Sequence, residues 1–204
     1  MLIGLIGKKR SGKDTVADYL VKNYDFIKYS LADPMKRACK DIFLLSNKQL
    51  WGKEKDEIDD RYGITPRKLL QVFGTELFQY DIYNHIPELV KTIPPRKLWI
   101  YRFIQWYTEP IPDEIDDIKY LKFNVVISDV RFKHEAEEIK KLGGKLIRIH
   151  RNLGDSHELH ASETEMDDIE VDKEIYNFGT IKDLYKKIDE IMGEETLWHI
   201  CTDL

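Results

Sequence analysis

The segment Gly7-Lys8-Lys9-Arg10-Ser11-Gly12-Lys13-Asp14-Thr15 constrains this chain more than any other, because it follows directly on the apolar run Met1-Leu2-Ile3-Gly4-Leu5-Ile6. It has the form G-x-x-x-x-G-K of a phosphate-binding loop, with Asp14 where Ser or Thr usually stands and Thr15 one place later. Glycines at 7 and 12 let backbone N–H groups turn inward onto phosphate oxygens. The following helix offers the positive end of its dipole, and Lys13 adds a point charge. Residues 1 to 6 read as a strand buried on both faces of a parallel sheet. Val16, Ala17, Leu20 and Val21 then share one helical stripe. The required context of strand, loop and helix is met, which sets nucleotide phosphate binding ahead of a Gly- and Lys-rich turn that matches by chance.

A chain of 204 residues with 42% hydrophobic content can bury one good core, so a single domain over residues 1–204 is expected. Lys+Arg 32 against Asp+Glu 37 leaves a net charge of -5, which argues against bulk affinity for nucleic acid or an anionic membrane. Any anionic ligand must therefore be held by local positive charge. Cys39 and Cys201 stand far apart without a C-x-x-C partner, suggesting neither a disulfide framework nor a zinc site and fitting a reducing cytoplasm. The first apolar run is too short for a membrane span and lacks a basic leader, so a signal peptide is not expected.

Further along, Phe26 to Ser30 reads as a second strand, and Asp33-Pro34 starts a helix to about Leu45 with Asp33 as N-cap. Residues 46 to 64 are polar and charged, suited to a surface excursion over a site. Thr65-Pro66 starts another helix, on which Leu69, Phe73 and Leu77 recur at the helical interval. Gly74 inside it marks a close approach, a tight helix crossing being the ordinary reason. In the Pro-punctuated stretch 82 to 121, Leu98, Trp99, Phe103, Trp106 and Tyr107 form an aromatic helical stripe of the kind that usually packs in a core. Phe123 to Asp129 is a buried-type strand ending on a carboxylate, and the next helix turns Ala136, Ile139 and Leu142 inward before Gly143-Gly144. Lys145 to His150 is a fourth strand, 155 to 174 an acid-rich stretch, and Ile175-Tyr176-Asn177 the tail of a fifth strand. Thr180 and Asp183 cap a final helix with Ile181, Leu184, Ile188 and Ile191 inward. Such alternation predicts an α/β fold of the P-loop NTPase kind, a parallel five-stranded sheet with helices on both faces and the site at its carboxyl edge.

A phosphate loop alone does not separate kinase, ATPase, GTPase switch and binding module. A guanine-reading N-K-x-D is absent, since Asn47-Lys48-Gln49-Leu50 lacks the Asp, so a GTPase is not expected. Arg131, two places after Asp129, sets a guanidinium beside a strand-end carboxylate. That suits an acceptor that is itself a phosphate, which Arg holds bidentately.

These residues resemble the deoxynucleoside monophosphate kinases of large bacteriophages and related viral and bacterial proteins. The resemblance is carried by Lys9 to Thr15, Lys28 to Lys36, Arg67 to Leu77, Ser128 to Glu135, Arg148 to Arg151, His160 to Glu163 and Asn177 to Thr180. The blocks stand in the family's order along nearly the whole chain, and Asp14 is the family's own form of the loop. None of these blocks falls in residues 82 to 121. The resemblance implies transfer of the γ phosphoryl group of ATP, with Mg2+, to a deoxynucleoside 5'-monophosphate. It also implies an acceptor-binding helical region at 46–121 and a mobile lid at 151–171, which would include His160 and Glu163.

By the same resemblance Lys13 and the backbone around Lys9, Ser11, Gly12, Asp14 and Thr15 hold the ATP phosphates, and Arg10 reaches the transferred group. Asp14, Thr15 and Asp129 compete for Mg2+, which prefers oxygen ligands and keeps several waters. Lys36, Arg67 and Arg131 would hold the acceptor phosphate, and Gln71, Thr75 and Glu135 would read its sugar or base. Arg151 belongs to the lid, and Asn177 with Phe178 is expected at the adenine. Arg67 has an equally plain reading as the partner of a nearby acid. Such enzymes can be dimers, and a viral chain would work in the host cytoplasm. Two rivals remain: a phosphomevalonate kinase of the animal type, with a similar Ser-Gly-Lys-Asp loop and Ser-Asp-x-Arg strand end, and a nucleotide-binding module without turnover.

Overall fold

A computed structural model describes residues 1–108, 123–151 and 165–202, with side chains as far as residue 194. Five parallel strands form one sheet: β1 (Leu2–Ile6), β2 (Phe26–Tyr29), β3 (Asn124–Ile127), β4 (Lys145–His150) and β5 (Lys173–Tyr176), in the order β2-β3-β1-β4-β5. Every residue of β1 is buried, as its unbroken apolar run demands at the centre of a sheet covered on both faces. Its register sets Gly4 opposite Ile127 on one side and Ile6 opposite Arg148 on the other. The carboxyl ends of β1, β3 and β4 therefore finish side by side.

Helix α1 (Lys13–Tyr24) follows β1 and buries Val16, Ala17 and Leu20, while Val21 is 40% exposed and falls off the expected stripe. Later in the chain come α7 (Lys133–Lys141) and α8 (Ile181–Thr202), the latter extending past Gly193, where the sequence gives no reading. Leu184, Ile188 and Met192 of α8 join Val16, Leu20, Ile3 and Ile149 in the core. Ile181 is 55% exposed, contrary to its predicted inward place, because it lies in the first turn beside the Thr180–Asp183 cap. Tyr19 and Tyr24 both donate to the Asp189 carboxylate, tying α8 to α1.

The chain divides into two compact units, residues 1–30 with 120–204, and residues 31–119. The second unit is helical. It contains α2 (Asp33–Phe43), α3 (Asn47–Trp51), α4 (Pro66–Gln71), a π-helix over Val72–Asp81, α5 (Ile82–His85) and α6 (Leu98–Thr108). Its core is Met35, Cys39, Leu45, Leu50 and Leu70, packed with Phe43, Phe73 and Trp99. Two sequence expectations change here. Ala32, not Asp33, is the N-cap of α2 and, having only a methyl side chain, makes no side-chain cap bond; the Asp33 carboxylate accepts from Lys36 and from the Trp51 indole, each at 3.1 Å. The aromatic stripe of α6 is only partly core: Phe103 is buried with Ile100, but Trp106 is 40% exposed. Gly74 does mark a helix crossing, since an added Cβ would lie 2.9 Å from Met35 Cε. No helix among the described residues is long and apolar enough to cross a membrane.

Candidate active site

Helix α1 begins at Lys13 without any side-chain cap, and Gly12 before it takes φ 109. A helix start whose N-cap is a glycine, with no side chain of its own to cap it, suits an anion. Gly7, at φ 154, is equally bound to glycine, since a Cβ there would meet the Ile149 carbonyl at 2.5 Å. Arg10 is exposed and adopts φ 66, uncommon for a residue with a side chain. Lys13 donates to the Gly7 carbonyl and, at 2.9 Å, to that of Lys8, so the ammonium lies across the loop. Ser11 is 2% exposed, and its hydroxyl has no hydrogen-bond partner among the described residues.

Asn177, just past β5, is buried at 9% exposure and donates its amide to the Ser11 carbonyl at 2.9 Å. A Cβ at Gly12 would stand 2.7 Å from that same amide nitrogen, so Asn177 grips the phosphate loop from beneath. Asn177→Ala leaves a buried carbonyl unsatisfied, a cost of about 1–3 kcal/mol. We expect a lower melting temperature and an ATP KM raised about tenfold with little change in the acceptor KM, read by thermal melts and two-substrate kinetics. Beside the loop lies a cleft of about 330 Å³ lined by Gly7, Lys8, Ser11, His150, Arg151 and Phe178, among others. A second hollow shares Arg151 and Phe178 and adds Asn177 and Gly179. His150 stacks on Tyr176 at 4.7 Å, and Tyr176 meets Phe178 edge-on at 5.7 Å, giving the region an aromatic wall.

At the end of β3, Asp129 accepts from the Ser30 hydroxyl at 2.8 Å. Arg131 is exposed. Glu135 is 4% exposed and accepts from the backbone N–H groups of Arg131 at 2.8 Å and Phe132 at 3.1 Å, so the side chain predicted to read a sugar or base faces main chain. Burial, with Asp129 adding to it, raises the Glu135 carboxyl to about 7 against the pull of the two N–H groups and Arg131. A carboxyl raised on folding contributes stability below its unfolded value near 4.5 and loses it as pH rises through about 7. Glu135→Gln should therefore gain in melting temperature relative to the parent between pH 5 and pH 8, on the order of 5 °C, measured by calorimetry at both pH values.

The candidate metal oxygens are placed differently from one another. Asp14 is 81% exposed at its side chain and pairs with Lys28 at 3.0 Å, which also holds Asp18 at 2.9 Å. Thr15 and Asp129 are partly buried. A hydroxyl and a carboxylate are donors that a hard cation accepts, so the residues present fit Mg2+.

In the helical unit, Lys36 is paired with Asp33 and lies 5.8 Å from the Trp51 ring centre. Arg67 forms a two-pronged pair with Asp56, as its plainer reading anticipates. Gln71 and Thr75 are partly buried at the end of α4 and in the π-helix. Of the expected lid only Arg151 and the residues from 165 on are described; His160 and Glu163 lie outside the described residues. Arg148 carries no role in the sequence reading, yet its guanidinium holds the carbonyls of Met166, Asp167 and Ile169. Lys28 and Ser30 also carry no role in the sequence reading; alternation along β2 sets them on one face, but does not pair them with Asp14 and Asp129.

A profile of the family described as deoxynucleotide monophosphate kinase matches residues 1–56 and 52–188. A protein of Acanthamoeba polyphaga mimivirus, which bears the same kinase name provisionally, is 43% identical over 192 residues, 92% of this chain and 94% of its own length. The deoxynucleotide monophosphate kinase of Enterobacteria phage T4 is 27% identical over 234 residues, covering 92% of this chain and 96% of the phage enzyme. Among solved structures, shikimate kinase of Aquifex aeolicus superposes with a TM-score of 0.50 at 18% identity, over 97% of this chain and 99% of that one, a likeness of fold. The matches run through the phosphate loop, the β3 end and β5 alike, and with them the chain belongs to the deoxynucleotide monophosphate kinase family.

Proposed function

We propose that this protein transfers the γ phosphoryl group of ATP to a deoxynucleoside 5'-monophosphate, giving the diphosphate and ADP. Family membership supports the reaction, and one observation supports the donor site: a helix start without a side-chain cap behind Gly12, with Lys13 lying across the loop that precedes it. The acceptor's phosphate oxygen attacks the γ phosphorus, a new P–O bond forms, and the bond to the β-phosphate oxygen breaks with its electron pair leaving on ADP. Because the nucleophile is already anionic, positioning and charge neutralisation carry the catalysis and no strong general base is needed.

We assign Lys13 and the loop N–H groups to the β and γ phosphates, and Arg10 to the group in flight. Mg2+ bound with ATP would draw off charge from the β and γ oxygens, with Thr15 and Asp129 as its protein-side oxygens, directly or through water; the Lys28 pair disfavours Asp14 for that duty. Arg131, Lys36 and Arg67 are proposed to meet the acceptor phosphate, and Gln71 and Thr75 its nucleoside. The cleft at Arg151 and Phe178 is proposed for the adenosine end of ATP. Donor and acceptor together carry about six negative charges, which a protein of net charge -5 tolerates only where cations are concentrated. The proposed setting is the cytoplasm, that of the host for a viral chain.

ADP formation should be measured with ATP, Mg2+ and, in separate reactions, dAMP, dCMP, dGMP, dTMP, modified pyrimidine monophosphates and phosphomevalonate. Turnover with one or more deoxynucleotides is expected. Turnover with phosphomevalonate alone would overturn the proposal, and ATP binding without turnover on any acceptor would leave a nucleotide-binding module.

A further inference from the structure

Between the end of β3 at Ile127 and the start of α7 at Lys133, the chain has five residues in which to leave the sheet and enter a helix. The N–H groups at such a start are orphan donors. In an ordinary capping box, the residue at the third helical position returns a hydrogen bond to the N-cap N–H. Glu135 does this for Phe132 and, with the same oxygen, also takes the N–H of Arg131, one residue further back than a capping box reaches.

Helix capping does not explain why this carboxylate is buried to 4% exposure. Water or an exposed Glu would satisfy the same donors, whereas burying a carboxylate is unfavourable. Burial here yields a fixed backbone. Val130 is wholly buried, Asp129 is held by Ser30 at 2.8 Å, and Glu135 ties the peptide units of Arg131 and Phe132. Of these successive residues, Arg131 is the exposed one. We propose that Glu135 is a positioning residue for phosphoryl transfer, holding the backbone from which the Arg131 guanidinium is aimed at the acceptor phosphate. The inference rests on the kinase reading above and replaces direct contact of Glu135 with sugar or base.

The test is steady-state kinetics of the full chain with ATP, Mg2+ and the best deoxynucleotide acceptor, for Glu135→Ala, Glu135→Asp, Glu135→Gln, Arg131→Ala and the Glu135→Ala, Arg131→Ala double variant. Glu135→Ala should lower kcat/KM for the acceptor about tenfold or more and leave the ATP KM within about twofold, because loss of aim at a reacting group costs rate steeply. Glu135→Gln, whose amide oxygen can accept both N–H groups, should keep about a third or more of the parent value. The double variant should fall little below Arg131→Ala alone, since both changes remove one function. If Glu135→Ala does not fold, Glu135→Asp, one methylene short of the two donors, should show the same acceptor-selective loss. An unchanged acceptor kcat/KM, equal losses for both substrates, or additive losses in the double variant would overturn the inference. If the parent transfers phosphate to no deoxynucleotide, the kinase reading itself fails, a separate result.

Discussion

Lys13→Ala is expected to lower kcat/KM for phosphoryl transfer by about a thousandfold or more, the scale seen when a preorganised charge on the transferring group is lost. The ammonium bridges the Gly7 and Lys8 carbonyls, so it stands over the loop before any nucleotide arrives. With ATP in place, that charge would offset the phosphates beside loop N–H groups that carry only partial charge. Lys13→Arg should recover little, because a planar fork does not fit a cradle made for a point charge. The fold should persist, as Lys13 is not part of the core. A melting temperature close to the parent's, with activity lost, is the paired measurement; a variant within tenfold of the parent would contradict the role.

Arg131→Ala should reduce kcat/KM for the acceptor by about a hundredfold while the ATP KM moves no more than about twofold. Arg131 is exposed and the turn beneath it is held by Glu135 and Ser30, so the substitution removes a charge without loosening its mount. Arg131→Lys should restore part of the loss, since one point charge replaces a bidentate contact. Varying each substrate at saturating levels of the other reads the split. Equal weakening of both would place Arg131 in the shared architecture of the loop rather than at the acceptor.

What could be read from residue order alone was what local physics decides. The run from Leu2 to Ile6, the glycines at 7 and 12 and the stripe of α1 are short-range signals, and β1, its loop and α1 form where those signals put them. Asp129 was legible for the same reason: a buried-type strand that ends on a carboxylate must present it at the sheet edge. Where a side chain has two possible partners, the sequence could not choose. Asp33 reads as a cap because it precedes Pro34, but the Lys36 ammonium and the Trp51 indole both donate to its carboxylate. By the resemblance, Asn177 and Glu135 face ligands. Each is buried, and each spends its hydrogen bonds on backbone that carries the site.

The segment 46 to 64 resisted reading because its elements are brief and held by distant partners. Ser46 and Gln49 close a capping box on a helix of five residues, Arg61 and Gln49 converge on Asp59, and Tyr62 reaches the Phe43 carbonyl. None of these pairings has a period. The π-helix over Val72–Asp81 was hidden for another reason: Leu69, Phe73 and Leu77 recur every four residues, a spacing that an α-helix also satisfies. Its wider turn became visible only with the hydrogen bonds, beside Gly74, where Met35 presses against the helix and the Trp99 indole donates to the Gly74 carbonyl at 2.8 Å.

The central claim, that the phosphoryl group passes from ATP to an acceptor phosphate, is tested most directly by following the label of γ-labelled ATP in the presence of Mg2+ and a deoxynucleoside monophosphate. The label is predicted to appear in the β position of the deoxynucleoside diphosphate, in step with ADP formation and dependent on Lys13. Label released as inorganic phosphate at the same rate with and without the deoxynucleotide would contradict it.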